Sequence, residues 1–113
     1  MIDKDALEAV VSQYARFGWK LERILLKEPS QLIASIYPET LILAASRDAL
    51  WFSRESGEGR AWELRRLTGT PFALVRVVPG NTSEQERDEI LAEAEAEMAG
   101  RDVNANGEIS NGN

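Results

Sequence analysis

The chain of 113 residues has the size of one domain, and a hydrophobic content of 43% with three tryptophans is enough to build a core. It has no histidine and no cysteine, which excludes disulfides, the usual general base near neutral pH and the ordinary ligands of zinc, copper or haem. A net charge of −6 repels phosphate backbones, so we expect no nucleic-acid partner. We also expect no catalytic residue, no metal and no cofactor.

The first predicted element is a helix over residues 3–17. Its apolar positions recur at helical spacing, namely Leu7, Val10, Val11, Tyr14 and Phe17. Gly18 ends it, because glycine adopts the left-handed conformation after a helix at little steric cost.

Residues 19–26 allow two interpretations. If they are helical, they extend the first helix to about 33 Å at 1.5 Å per residue. Apolar and polar residues alternate from Trp19 onward, and the motif Trp19-Lys20-Leu21-Glu22-Arg23 resembles a stretch that begins at Trp62. We therefore prefer a strand, with the helix extension as the alternative.

A short helix is predicted from Pro29 and Ser30 to about Ile36, stopped by Pro38. Residues 40–45 are then either an edge strand or the approach to the next strand.

The last predicted helix begins at a capping box of Ser83 and Glu86 and runs to about Ala99. Gly100 ends it, and the residues from 100 to 113 are rich in asparagine and glycine. We expect these residues to form a flexible tail.

Residues 48–79 predict three antiparallel strands. A five-residue loop over residues 55–59 places Phe52 opposite Trp62. A four-residue loop over residues 68–71 places Glu63 opposite Arg76. This register places seven apolar residues on one face of the sheet, which we expect to form the core: Leu50, Phe52, Trp62, Leu64, Ala73, Val75 and Val77. The opposite face is mixed: Trp51, Ser53, Glu63, Arg65, Leu67, Phe72, Leu74 and Arg76. A slip of one residue would exchange the faces.

The fold expected from these elements is α+β in the order α-β-α-β-β-β-α. Its sheet has four mostly antiparallel strands, with the helices packed on one face and a disordered C-terminal tail. Residues 1–99 form a single domain and residues 100–113 form the tail.

The candidate binding surface is the mixed face of the sheet, with Trp51, Arg54, Arg65 and Arg76. Residues 47–79 carry six arginines and four acids, and tryptophan and arginine often dominate binding energy at interfaces. The alternative is that a helix covers this face and that the arginines lie at its rim. The acidic last helix is a second candidate surface.

These observations favour a small, non-catalytic protein of the cytoplasm that binds another protein, as an adaptor or an inhibitor of the immunity type. The first residues, with Asp3, Lys4 and Asp5, do not resemble a signal peptide, and no apolar run is long enough for a membrane partner. The alternative function is a sensor or enzyme for a small anionic ligand held by Arg54, Arg65 and Arg76. A homodimer through an uncovered edge strand is a further alternative.

Overall fold

The computed structural model describes residues 3–111, and the side chains through Arg101. In chain order the elements are α1 (Lys4–Arg16), β1 (Lys20–Leu26), α2 (Gln31–Ile36), β2 (Leu41–Ala44), β3 (Ala49–Ser56), β4 (Gly59–Arg66), β5 (Ala73–Pro79) and α3 (Glu84–Asn111). The predicted α+β class is confirmed.

The five strands form one sheet in the order β2-β1-β3-β4-β5, in which β2 runs parallel to β1 and the other neighbours are antiparallel. The sheet therefore has five strands instead of the predicted four, because residues 41–44 pair with β1 at its edge. The strand interpretation of residues 19–26 is confirmed. Gly18, at a φ of 82°, separates α1 from this strand.

The turn between β3 and β4 has only two residues, Gly57 and Glu58, with Ser56 opposite Gly59. Gly57 has a φ of 57°, as a type II′ hairpin turn requires at its first central position. The predicted five-residue loop was therefore wrong.

The shorter turn shifts the register by one residue. Phe52 lies opposite Glu63 instead of Trp62. In the second hairpin Arg76 lies opposite Trp62 instead of Glu63, a separate shift that arises because Arg66 pairs with Phe72 and the loop spans residues 67–71 instead of the predicted 68–71. The two shifts reverse the facing of β4 alone: Glu63 and Arg65, instead of Trp62 and Leu64, share a face with Phe52 and Val75.

Helices cover both faces of the sheet, which corrects the prediction that they pack on one face. On the side of α3, the α3 face, Leu91 and Met98 pack in a cluster with Trp51. On the side of α1, the α1 face, Leu7 and α2 residues pack in a cluster with Phe52. The reason is that β3 is the middle strand, and its consecutive residues from Ala49 to Ser53 are all buried.

Polar contacts hold α3 on its face. Asp88 accepts a hydrogen bond from Arg23 of β1 at 2.8 Å, and Glu97 accepts one from Arg76 of β5 at 2.6 Å. The guanidinium groups of Arg23 and Arg87 lower the pKa of Asp88. These contacts anchor the helix to both β1 and β5.

The predicted capping box at the start of α3 is confirmed. The Glu86 amide donates to Ser83 Oγ, and the Ser83 amide donates to Glu86 Oε1, each at 3.1 Å. The backbone of α3 continues past Ala99, where the sequence placed the helix end. Of the predicted tail over residues 100–113, only Gly100 and Arg101 have described side chains. The side chains from residue 102 onward lie outside the described part of the structure.

We expect Gly59→Ala to lower the free energy of unfolding by about 1–3 kcal/mol. A Cβ at this position would overlap the Val78 carbonyl oxygen and lie 3.1 Å from Pro79 Cα, so β4 and β5 would have to separate. Urea denaturation measures the change.

Gly100→Ala is the matched control for this substitution. The space around Gly100 is open, and alanine in a helix is more stable than glycine by about 0.5–1 kcal/mol. Equal effects of the two substitutions would contradict the close approach of β4 and β5.

Candidate functional site

The predicted surface of Trp51, Arg54, Arg65 and Arg76 is not a single surface in the structure. Trp51 is 0% exposed, its ring lies edge-on to Trp62 at 6.3 Å, and its indole Nε1 donates to Glu95 of α3 at 2.8 Å. Trp51 is therefore a core residue under α3, and a partner cannot reach it without displacing that helix.

The three arginines are distributed over both faces. Arg76 lies on the α3 face, where it pairs with Glu97. Arg65 and Arg54 lie on the α1 face, because their cross-strand partners are Leu50 and Ala61. These partners place Arg65 and Arg54 four positions apart along the β3–β4 ladder, or about 13 Å.

Arg54 is engaged with the chain that follows α1. Its guanidinium lies 4.4 Å from the centre of the Trp19 ring, and Nη1 donates to the carbonyl oxygen of Phe17 at 2.8 Å. This arginine holds the end of α1 against the sheet. The three predicted arginines therefore do not converge on one anion.

A groove of about 250 Å³ lies between α1 and β4 on the α1 face. Its lining residues come from the last turns of α1, the loop after it and β4: Gln13, Tyr14, Phe17, Trp19, Glu63 and Arg65. Arg65 is the one residue of the predicted surface that lines this groove.

Tyr14 and Glu63 form the polar floor of the groove. The Tyr14 ring stacks on Phe52 with centroids 4.0 Å apart and a 9° interplanar angle. Its hydroxyl donates to Glu63 Oε2. Burial raises the pKa of the Tyr14 hydroxyl, and the hydrogen bond to Glu63 raises it further. Tyr14 is thus a hydrogen-bond donor at neutral pH and not a base.

Beside this groove, the α1 face is left uncovered over β4 and β5. Phe17, Val75 and Val77 are 66%, 48% and 60% exposed. We call Phe17, Glu63, Arg65, Val75 and Val77 the open face. Large exposed apolar side chains next to a polar groove are typical of interaction surfaces.

The outer edge of β5 adjoins the open face. The Arg66 amide donates to Phe72 at 2.9 Å, and in an antiparallel ladder the inward hydrogen-bonding residues recur at every second position. The backbone groups of Leu74, Arg76 and Val78 therefore point toward β4. Those of the odd-numbered residues, from Ala73 to Pro79, point outward.

A buried polar cluster occupies the α3 face near the start of β1. Ser53, which is 0% exposed, donates to Glu22 Oε2 at 2.5 Å and accepts from Arg60 Nε at 2.8 Å. Glu22 reaches Ser53 because the pairing of β1 with β3 shifts between Leu21 and Arg23. The hydroxyl is engaged as donor and acceptor, so the cluster is structural.

Most of the acids proposed as a second surface on the last helix have partners. Asp88 and Glu97 pair with arginines of the sheet. Glu95 accepts from Trp51, and Glu86 belongs to the capping box. Glu89 and Glu93 of this helix are exposed.

Among the described side chains, those of residues 3–101, no group of three or more acidic residues is arranged to hold a metal ion. In the same part of the chain, no helix combines the length and apolar character of a membrane span.

Sequence reasoning missed Val75 and Val77 as surface residues: both share the face of Leu50 and Phe52, as predicted, but this face is exposed at β5. It also assigned Phe17 to the buried side of α1. The Gly57-Glu58 pair, which suits a two-residue turn, was the available signal for the facing of β4, which brings Glu63 and Arg65 onto this face.

The chain has no match among known family models, curated proteins or solved structures. The functional argument therefore depends on the geometry of the open face and of the groove beside it.

We expect Tyr14→Phe to lower the free energy of unfolding by about 1 kcal/mol at pH 7, because the ring stacking is kept and the hydrogen bond to Glu63 is lost. The pKa of Tyr14 is raised above its ordinary value of 10.0 in the folded state. The unfolded state therefore releases the proton first, and the contribution of Tyr14 to stability is lost as the pH rises above 10.

Chemical denaturation of both forms on either side of pH 10 measures this effect. Tyr37, whose pKa is also raised by burial, is present in both forms and cancels in the comparison. The advantage of the wild type should shrink at alkaline pH. A difference that stays constant would contradict the buried, hydrogen-bonded state of Tyr14.

Proposed function

We propose that this chain is a small, non-catalytic protein of the cytoplasm that binds another protein through the open face. The observation that carries the proposal is the uncovered half of the sheet, where Val75 and Val77 are exposed, together with the exposed Phe17 after α1. α1 covers the other half of the same face through the cluster around Leu7 and Phe52.

The open face has the composition of a binding surface. Its apolar side chains lie beside the groove, where Arg65 and Glu63 offer a charged donor and an acceptor. Interfaces combine an apolar centre with a polar rim in this way. Arg65 and Phe17, on opposite sides of the groove, are the anchors that we expect to contribute most to affinity.

The partner that this chain suits best is a basic protein. The net charge of −6 attracts a positively charged target over long range and raises the association rate. A role as an inhibitor or immunity-type protein follows, because such proteins act by covering a site on their target. The association rate should then fall as the salt concentration rises.

The alternative of a small anionic ligand held by Arg54, Arg65 and Arg76 has less support. Arg76 lies on the opposite face in an ion pair with Glu97, and Arg54 is engaged with Trp19 and Phe17. The remaining arginine shares its groove with the carboxylate of Glu63, which disfavours an anion.

We expect Phe17→Glu and Arg65→Glu each to lower the recovery of a specific protein partner at least about tenfold, the equivalent of about 1.4 kcal/mol. Affinity capture from an extract of the native cell, followed by quantitative mass spectrometry, measures the recovery. Circular dichroism spectra identical to the wild type show that each variant is folded.

Leu32→Glu is the matched control. Leu32 is an apolar side chain on α2 that is 56% exposed, and its substitution makes the same change of charge as Phe17→Glu, away from the open face. Recovery of the partner should be unchanged. The same set of captured proteins with all three variants would contradict the proposal.

A further inference from the structure

The two edges of the sheet differ in how much free backbone they present. β2 has four residues and β5 has seven. A short edge strand offers little for another strand to pair with, whereas a long and exposed one is a template for strand addition. The edge of β5 is therefore the one to consider.

Along this edge, the residues whose backbone groups point outward are also the residues whose side chains are exposed. The outward backbone groups belong to Ala73, Val75, Val77 and Pro79, and these residues are also exposed, whereas Leu74 and Val78 between them are buried. A strand that adds to β5 would form hydrogen bonds with three of these residues and would also contact Val75 and Val77.

Two prolines bound the free part of the edge. Pro71 and Pro79 both lack an N–H group, and Val75 lies midway between them in the sequence. A proline in an edge strand is tolerated where its nitrogen faces away from the neighbouring strand. The free edge is thus symmetric about Val75, so it fits a second copy of itself in antiparallel orientation.

Two antiparallel β5 strands can pair their outward-pointing residues in several registers, and side-chain conflicts disfavour all but one of those centred near Val75. A register centred on Arg76 would place Arg76 opposite Arg76 of the second copy, and like charges directly opposite are unfavourable. A register centred on Leu74 would place Val77 opposite Pro71. The register centred on Val75 places Arg76 opposite Leu74 and avoids both conflicts.

We propose that two copies of this chain associate through β5, antiparallel and centred on Val75, to form one continuous ten-stranded sheet. The ladder would contain roughly six backbone hydrogen bonds, two for each pair of outward residues. Arg76 Nη1 donates to the Val75 carbonyl oxygen at 3.0 Å, and this oxygen has a second lone pair for the new bond.

The dimer leaves the groove of each copy accessible. Val75 and Val77 of the two copies would form one apolar stripe between two grooves, so the dimer would carry two copies of the open face side by side. This inference uses the backbone edge of β5, whereas the proposed function tests Phe17 and Arg65, and either can fail without the other.

The register predicts a charge-pairing experiment at position 75. The wild type should sediment at equilibrium with about twice the chain mass of 12.6 kDa. Val75→Lys and Val75→Glu should each weaken self-association at least about tenfold, because like charges then lie directly opposite one another. An equimolar mixture of the two should restore dimers, now with one copy of each.

Val77→Lys and Val77→Glu form the matched control pair. In this register Val77 lies opposite Ala73, and the two copies of residue 77 are about 13 Å apart. Mixing these two variants should therefore give no gain over either alone. Both positions carry exposed side chains, and thermal unfolding curves verify that each of the four variants is folded.

Salt gives an independent measurement. Each copy carries a charge of −6, so screening should strengthen self-association, opposite to the effect expected for a basic partner. A monomeric wild type at millimolar concentration and high salt would overturn the inference. So would a Val75→Lys variant that dimerises like the wild type, or a gain on mixing at position 77 equal to that at position 75.

Discussion

A two-residue turn at Gly57 and Glu58 holds β3 against β4, with Ser56 opposite Gly59. Because side chains alternate along a strand, this turn decides which face each residue of the hairpin occupies. It directs Trp51 toward α3 and Phe52 toward α1. A turn longer by one residue would shift the pairing of β3 with β4 by one position. Trp51 and Arg65 would then lie on the same face, and the groove beside Glu63 would be lost.

The distribution of helices over the sheet follows from this register. β3 is buried on both faces, so each face needs a helical layer. α3 covers one face and is anchored near its start and at its middle by ion pairs of Asp88 with Arg23 and of Glu97 with Arg76. α1 covers the half of the other face that lies over β1 and β3, and it reaches β4 through the hydrogen bond of Tyr14 to Glu63. The uncovered half is the open face.

Local signals in the sequence predicted most of the elements. Helical spacing and Gly18 located α1, a capping box located the start of α3, and alternation identified β1 as a strand. The register was missed because the prediction preferred a face with uniformly apolar residues. In the structure polar residues enter both faces, since Glu63 is satisfied by Tyr14 and Arg76 by Glu97. Such pairs join residues far apart in the chain, and no local pattern reveals them.

Amide hydrogen exchange along β5, at a dilution where the chain is monomeric, tests the register most directly. The account predicts slow exchange at Leu74, Arg76 and Val78, whose amides donate to β4, and fast exchange at Ala73, Val75 and Val77, whose amides point outward. The opposite alternation would contradict the register, and with it the open face and the pairing of two copies through β5.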